Sequence, residues 1–153
     1  TTTAFTMPTP THEEAVGLEK FEHADIRANI ITRQKELKVG ENLDLEIELV
    51  NAGKGPALLI KVTEVIPDGF DLTQKPENYR VEDSYLNMKG KRLDPLKTED
   101  VKLVLKPKAQ GIFPLKPKVL YLDESGKYKT HEPEPITITV KELGIKGWLK
   151  GER

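Results

Sequence analysis

The chain of 153 residues has no cysteine, few aromatic side chains (6 %) and no long apolar run. Without a thiol it can build no disulfide framework, thiolate zinc site, iron–sulfur cluster or cysteine nucleophile. No stretch approaches the roughly 18 apolar residues of a membrane-spanning helix, and no secretory-leader pattern opens the sequence. An excess of one charge is missing too. The 24 basic residues nearly cancel the 25 acidic ones, which points away from a nucleic-acid binder or a cationic membrane peptide. What is present is enough apolar material, 37 % of the residues, to close a core at this length without a metal or a disulfide. A charged fraction of 32 % with no cysteine fits a heat-adapted microbial source.

Six threonines and two prolines fill residues 1–11 without a charge, so this stretch reads as a linker or chain end, excised from a longer protein. Thr11 and Glu14 have capping-box spacing, which predicts a short helical segment over 12–22. From Asp25 the period changes to two. Leu43, Leu45, Ile47 and Leu49 alternate with Asp44, Glu46 and Glu48, a strand with one dry and one wet face. Further strands are expected over 26–31, 57–66, 79–81, 85–88, 101–105, 113–121 and 136–140. Turn chemistry separates them at Pro67-Asp68-Gly69, at Lys89-Gly90-Lys91 as a hairpin tip, and at Asp123 to Gly126, which would place Tyr121 opposite Tyr128. Phe113, Leu115, Pro117, Val119 and Tyr121 are expected on one face of a single strand. The spacing predicts an all-β fold, an immunoglobulin-like antiparallel β-sandwich of about seven to nine strands. It would occupy residues 23–141, followed by a tail over 142–153.

Val39-Gly40-Glu41, Leu49-Val50-Asn51-Ala52-Gly53, Ala57, Val62, Ile66-Pro67-Asp68-Gly69-Phe70 and Gly111-Ile112-Phe113 form a pattern of strands and turns. It resembles the Ig-like domains of archaeal and bacterial surface proteins, the cell-adhesion-related (CARDB) type among them, and the translocon-associated protein beta family. The resemblance covers about two-thirds of the chain. It implies a non-catalytic scaffold, spacer or partner-binding module and a cell-surface address, and it carries over no site residues.

The search for chemistry yields little. His12, His23 and His131 are far apart and lack the one-turn spacing of helix-borne metal ligands. Gly53-Lys54-Gly55 leads into Pro56 and a strand, not a helix with Lys-Ser/Thr, so a plain hairpin loop replaces the phosphate cradle. Ser84 and Ser125 sit outside any nucleophile elbow. Asp68, Asp71, Asp123 and Glu124 fall in loops without the spacing of a calcium cage. No cofactor is expected.

Two features remain as binding candidates. Lys102, Lys106, Lys116 and Lys118 would converge into a positive patch if their strands pair, suited to an acidic partner or a membrane surface; edge protection against aggregation is the plainer reading. Trp148 stands in an apolar, glycine-punctuated tail with Leu143, Ile145 and Leu149. It would pack back, begin a further domain, or anchor a partner. The expectation is a structural or protein-interaction module of a larger microbial protein, binding an unknown protein partner or neighbouring domains. A carbohydrate-binding module using Tyr79, Tyr85, Tyr128 and Trp148 is the alternative, with two or more coplanar exposed rings as its signature. A hydrolase comes third.

Overall fold

In a computed structural model the described residues are 23–142. They form twelve strands: β1 (Ile26–Thr32), β2 (Glu36–Lys38), β3 (Leu43–Asn51), β4 (Ala57–Thr63), β5 (Phe70–Gln74), β6 (Arg80–Glu82), β7 (Tyr85–Leu93), β8 (Thr98–Pro107), β9 (Gly111–Leu115), β10 (Lys118–Leu122), β11 (Tyr128–His131) and β12 (Ile136–Lys141). A four-stranded sheet runs β1-β3-β8-β5, a five-stranded sheet β11-β10-β4-β7-β6, and a three-stranded sheet β2-β12-β9. All pairs are antiparallel except β2 with β12. The expectation of seven to nine strands in two sheets is corrected to twelve in three, because the expected strand over 113–121 divides between two sheets and the short strands β2, β5 and β11 add to those expected. The short N-terminal helix over 12–22 and the tail with Trp148 lie outside the described residues.

The core follows the period of two. Leu43, Leu45, Ile47 and Leu49 of β3 point inward with Val101, Leu103 and Leu105 of β8. From the five-stranded sheet come Ala57, Leu59 and Val62 of β4, Leu86 and Met88 of β7, and Val119 and Tyr121 of β10. Each fully buried aliphatic side chain contributes roughly 1.5–3 kcal/mol relative to exposure. β3 lies in the middle of its sheet, so its alternation is the most regular in the chain.

The stretch from Phe113 to Tyr121 divides. Leu115, Pro117, Val119 and Tyr121 all face inward as expected, yet β9 pairs with β12 while β10 pairs with β4 and β11. Pro117 donates no ladder hydrogen bond, so pairing stops there and the chain changes sheet while its inward face persists. Pro114 is tolerated because β9 is an edge strand.

Two turns also differ from expectation. Lys89-Gly90-Lys91 lies inside β7, where both Lys89 (φ 55°) and Gly90 (φ 72°) are left-handed and the register with β4 slips between Leu59/Lys91 and Lys61/Asn87. It is a bulge. The hairpin tip is Asp83-Ser84, joining Glu82 to Tyr85. The β10–β11 loop closes with Asp123 N–H donating to Lys127 O (2.9 Å) and Gly126 N–H to Asp123 O (3.0 Å). It therefore spans five residues and sets Leu122 opposite Tyr128, with Tyr121 opposite Lys129. A slip of one residue exchanges faces: Tyr121 is buried and Tyr128 is 69 % exposed.

Candidate interaction surface

The strongest candidate arises where the alternation fails. β3 sets leucines inward and acids outward, but β4 and β10 carry apolar side chains on both faces. Leu58 points outward between buried Ala57 and Leu59, and Leu120 and Leu122 point outward beside buried Val119 and Tyr121. Register aligns them across the outer face of the five-stranded sheet: Arg92, Leu58, Leu122 and Tyr128 form one row over four strands. The next row runs Arg80, Asn87, Lys61, Leu120, Thr130. Ile60 sits half-buried in the β4 irregularity beside them. Leu58 is 39 % exposed, and Lys61 Nζ stands 5.2 Å from the Tyr85 ring centre.

The lysine candidates do not converge. β8 pairs with β3 and β5, not with β9 or β10, so the pairing on which the positive patch rested is absent. Lys102 lies opposite Glu46 and Lys106 opposite Asp71 on the outside of the four-stranded sheet. Lys118 belongs to the five-stranded sheet and pairs with Glu132 at 3.3 Å, while Lys116 lies in the β9–β10 connection. Acids that are distant in sequence face these cations across the strands, which the lysine spacing alone does not reveal.

The ring platform of the carbohydrate reading is not formed among the described residues. Tyr128 stands free, whereas the Tyr79 hydroxyl donates to Glu99 and Tyr85 lies under Lys61. Burial, helped by Glu99, pushes the Tyr79 phenol well above its ordinary range.

One further cluster joins the entering segment to the β10–β11 loop at one end of the sandwich. His23, Asp123 and Glu124 each present a ligand atom within 4.8 Å of the others, a grouping a divalent cation could use. Those atoms are already engaged. His23 Nδ1 lies 2.5 Å from Glu124 Oε1, and Ala24 N–H donates to Glu124 Oε2 at 3.1 Å. Asp123 Oδ1 accepts from Ser125 N–H (2.9 Å), Ser125 Oγ–H (2.6 Å) and Lys127 N–H (3.0 Å). Asp123 Oδ2 has no aligned hydrogen bond, but the Lys129 ammonium sits 3.3 Å away. Burial pushes the Asp123 carboxyl up, yet these bonds together outweigh it and hold the group well below the usual carboxylate range. Glu124 is lowered in the same way, against burial, by its own amide, His23 and Ala24. Ser125 is thereby spent on the loop.

Asp68 and Asp71 lie at the other end of β3 from this cluster, beside Lys106 and Lys108, so the four loop acids form no single cage. His131 is half-buried on β11, and burial, then Arg27, lower its pKa. His12 lies outside the described residues.

Sequence reasoning missed Asn51. Its fully buried amide uses all its capacity: Nδ2 donates to Gly55 O (2.8 Å) and Leu93 O (2.9 Å), and Oδ1 accepts from Asp25 N–H (3.2 Å) and Gly53 N–H (3.0 Å). The loop it organises, Asn51 to Pro56, joins β3 to β4 in different sheets and is a crossover rather than a hairpin. A Cβ at Gly53 would lie 1.9 Å from His23 O, so only glycine admits the entering strand. The outward leucines were missed as well, although the unbroken run Ala57-Leu58-Leu59-Ile60 is their signal: a strand apolar on both faces expects cover on both.

Fold and surface together define an immunoglobulin-like β-sandwich with a partly apolar outer sheet face. The model of the translocon-associated protein beta family matches residues 20–144, and the chain belongs to that family. No curated protein matches it in sequence. Among solved structures it is similar to BcpA, the major pilin subunit of Bacillus cereus, at 10 % identity and a TM-score of 0.60, over 78 % of this chain and 41 % of the pilin. The match thus spans less than half the pilin's length. It is similar to the ApaA protein of Bordetella pertussis at 14 % identity and a TM-score of 0.53, over 78 % of this chain and 96 % of that one. A CARDB domain from Pyrococcus furiosus, in complex with di-metal ions, aligns at 15 % identity and a TM-score of 0.47, over 79 % of this chain and 91 % of that domain.

Proposed function

We propose that this chain is a non-catalytic protein-interaction module whose partner docks on the outer face of the five-stranded sheet. The observation that carries the reading is the second apolar face of β4 and β10, where Leu58, Leu122 and Tyr128 align across three strands. In a two-layer sandwich the outer face of an antiparallel sheet meets water and is normally polar, as β3 is here. Contiguous exposed apolar surface marks an interaction site more often than chance. At the His23, Asp123 and Glu124 cluster the ionisable groups, with the Ser125 hydroxyl, hold a loop, which supports a scaffold role over a reaction. Membership of an Ig-like family, a fold typically without enzymatic activity, supports it too. Among the described residues the one free ring of that reading, Tyr128, favours a protein over a sugar.

The test is a photo-reactive benzoylphenylalanine placed at Leu58 or Tyr128 of the intact protein in its native cells. Irradiation should give the same discrete protein adduct from both positions and none from Ile112, which is as exposed (72 %) but lies on β9 of the three-stranded sheet. Adducts equally frequent at Ile112, or none at Leu58 and Tyr128, would refute the assignment.

A further inference from the structure

We infer that the segment taken by this face is acidic as well as aliphatic: a stretch of another protein that sets an apolar anchor on Leu58, Leu120 and Leu122 and carboxylates on the neighbouring cations. This rests on the interaction reading above and names the chemistry of the partner. On this face most acids are engaged, two of them by Arg92 and Lys118, while several cations are left over. Glu82 accepts from Asn87 Nδ2 (2.9 Å) and from the Tyr85 hydroxyl (3.3 Å), Asp94 pairs with Arg92 (2.7 Å), and Glu132 with Lys118 (3.3 Å). Arg80 at the β6 edge, and Lys89 and Lys91 at the β7 bulge, are exposed and make no ion pair among the described residues. Lys61 stands at the centre of the face, against the Tyr85 ring. Asp83, in the β6–β7 turn, is the one acid there without a polar partner among the described residues.

The geometry limits how a partner is read. β4, β7 and β10 are paired on both sides, so their backbone groups are spent and recognition must come from side chains. The row from β7 to β11 crosses three inter-strand gaps, about 14 Å, which suits one helix of about 10–12 Å diameter. The rim acids Glu82, Asp83, Asp94 and Glu132 would face the headgroups of an anionic bilayer, which disfavours lipid. A carboxylate-bearing segment meets Lys61 at the centre of the face and Arg80 at its β6 edge instead. Opposite charge across an interface fixes register and raises the encounter rate more than it raises affinity.

The experiment titrates the isotopically labelled full chain with a synthetic helical peptide carrying leucines on one face flanked by glutamates, and with its lysine-for-glutamate counterpart. The acidic peptide should shift the amides of Leu58, Lys61, Leu120, Leu122 and Tyr128 saturably, and the lysine peptide should not. Lys61→Glu with Arg80→Glu, surface changes that leave the core intact, should weaken the acidic peptide at least tenfold; Leu58→Glu should abolish binding. Equal response to both peptides, or no loss in the charge-reversed variant, overturns the proposal. So does preferential binding of phosphatidylserine vesicles, self-association through this face, or peptide binding that appears only after residues 1–22 are removed. If the photo-adducts at Leu58 and Tyr128 persist while the acidic peptide fails, the interaction reading stands and the acidic chemistry falls.

Discussion

Asn51 shows how much of a fold one polar side chain can carry. Its four amide bonds reach residues 25, 53, 55 and 93, tying the entering strand to two loops inside a region without solvent. Substituting alanine leaves two carbonyls and two amide N–H groups buried and unpaired, each costing about 1–3 kcal/mol. Asn51→Ala should therefore lower the unfolding free energy by roughly 3–5 kcal/mol in urea titration, well beyond the usual range of single substitutions. A loss under about 1 kcal/mol would show that water enters and satisfies those groups. Gly53 belongs to the same device. Gly53→Ala must push residues 23–25 off the loop, so the amides of Ala24 and Asp25 should exchange faster while those of β8 keep their protection. The sequence showed Asn51 and Gly53 as parts of a loop pattern and no more, because their partners come from three segments up to 42 residues away.

At the scale of the strand, two leucines adjacent in sequence should behave in opposite ways. Leu59 is completely buried and Leu58 faces out. Leu59→Ala should cost about 2–5 kcal/mol, the range for truncating a core aliphatic. Leu58→Glu should change stability by less than about 1 kcal/mol, as surface substitutions do, while removing partner binding. Denaturant midpoints and photo-adduct yields measured on the same two variants check both halves of the contrast. The direction in which each side chain points was legible wherever the period of two ran cleanly, as it does from Leu43 to Leu49. Sheet membership was not, since Leu115 and Val119 continue one inward face while pairing with different strands. Register at the β10–β11 hairpin depended on whether its loop held four residues or five. That is decided by the Asp123 carboxylate capturing the amides of Ser125 and Lys127, a local bond that composition cannot reveal.

Across the whole molecule, the carboxyls with lowered titration sit together at one end of the sandwich. Asp123 and Glu124 both sit below their ordinary values, and both hold the β10–β11 loop, Glu124 against the entering strand as well. A carboxyl lowered on folding adds stability that is complete above its unfolded pKa, near 4, and is lost as the pH falls through the folded value. Acid should therefore act unevenly. Below about pH 4 the opened loop, whose carboxyls titrate normally, takes up protons that the folded carboxylates do not, so breaking the bonds from Ala24, Ser125 and Lys127 costs progressively less, while the apolar contacts between β3 and β8 are untouched by protonation. Hydrogen exchange followed from pH 7 down to pH 3, corrected for its intrinsic pH dependence, should show Ala24, Ser125 and Lys127 opening before any amide of β3. Asp123→Asn should be less stable than the parent by on the order of 2 kcal/mol at pH 7, the cost of weakening several hydrogen bonds to a buried charge. That gap should narrow below about pH 4, as the unfolded parent takes up the proton that its folded form refuses. A gap constant from pH 7 to pH 2 would mean that the carboxylate charge adds nothing to the clasp, and that shape alone holds the entering strand in place.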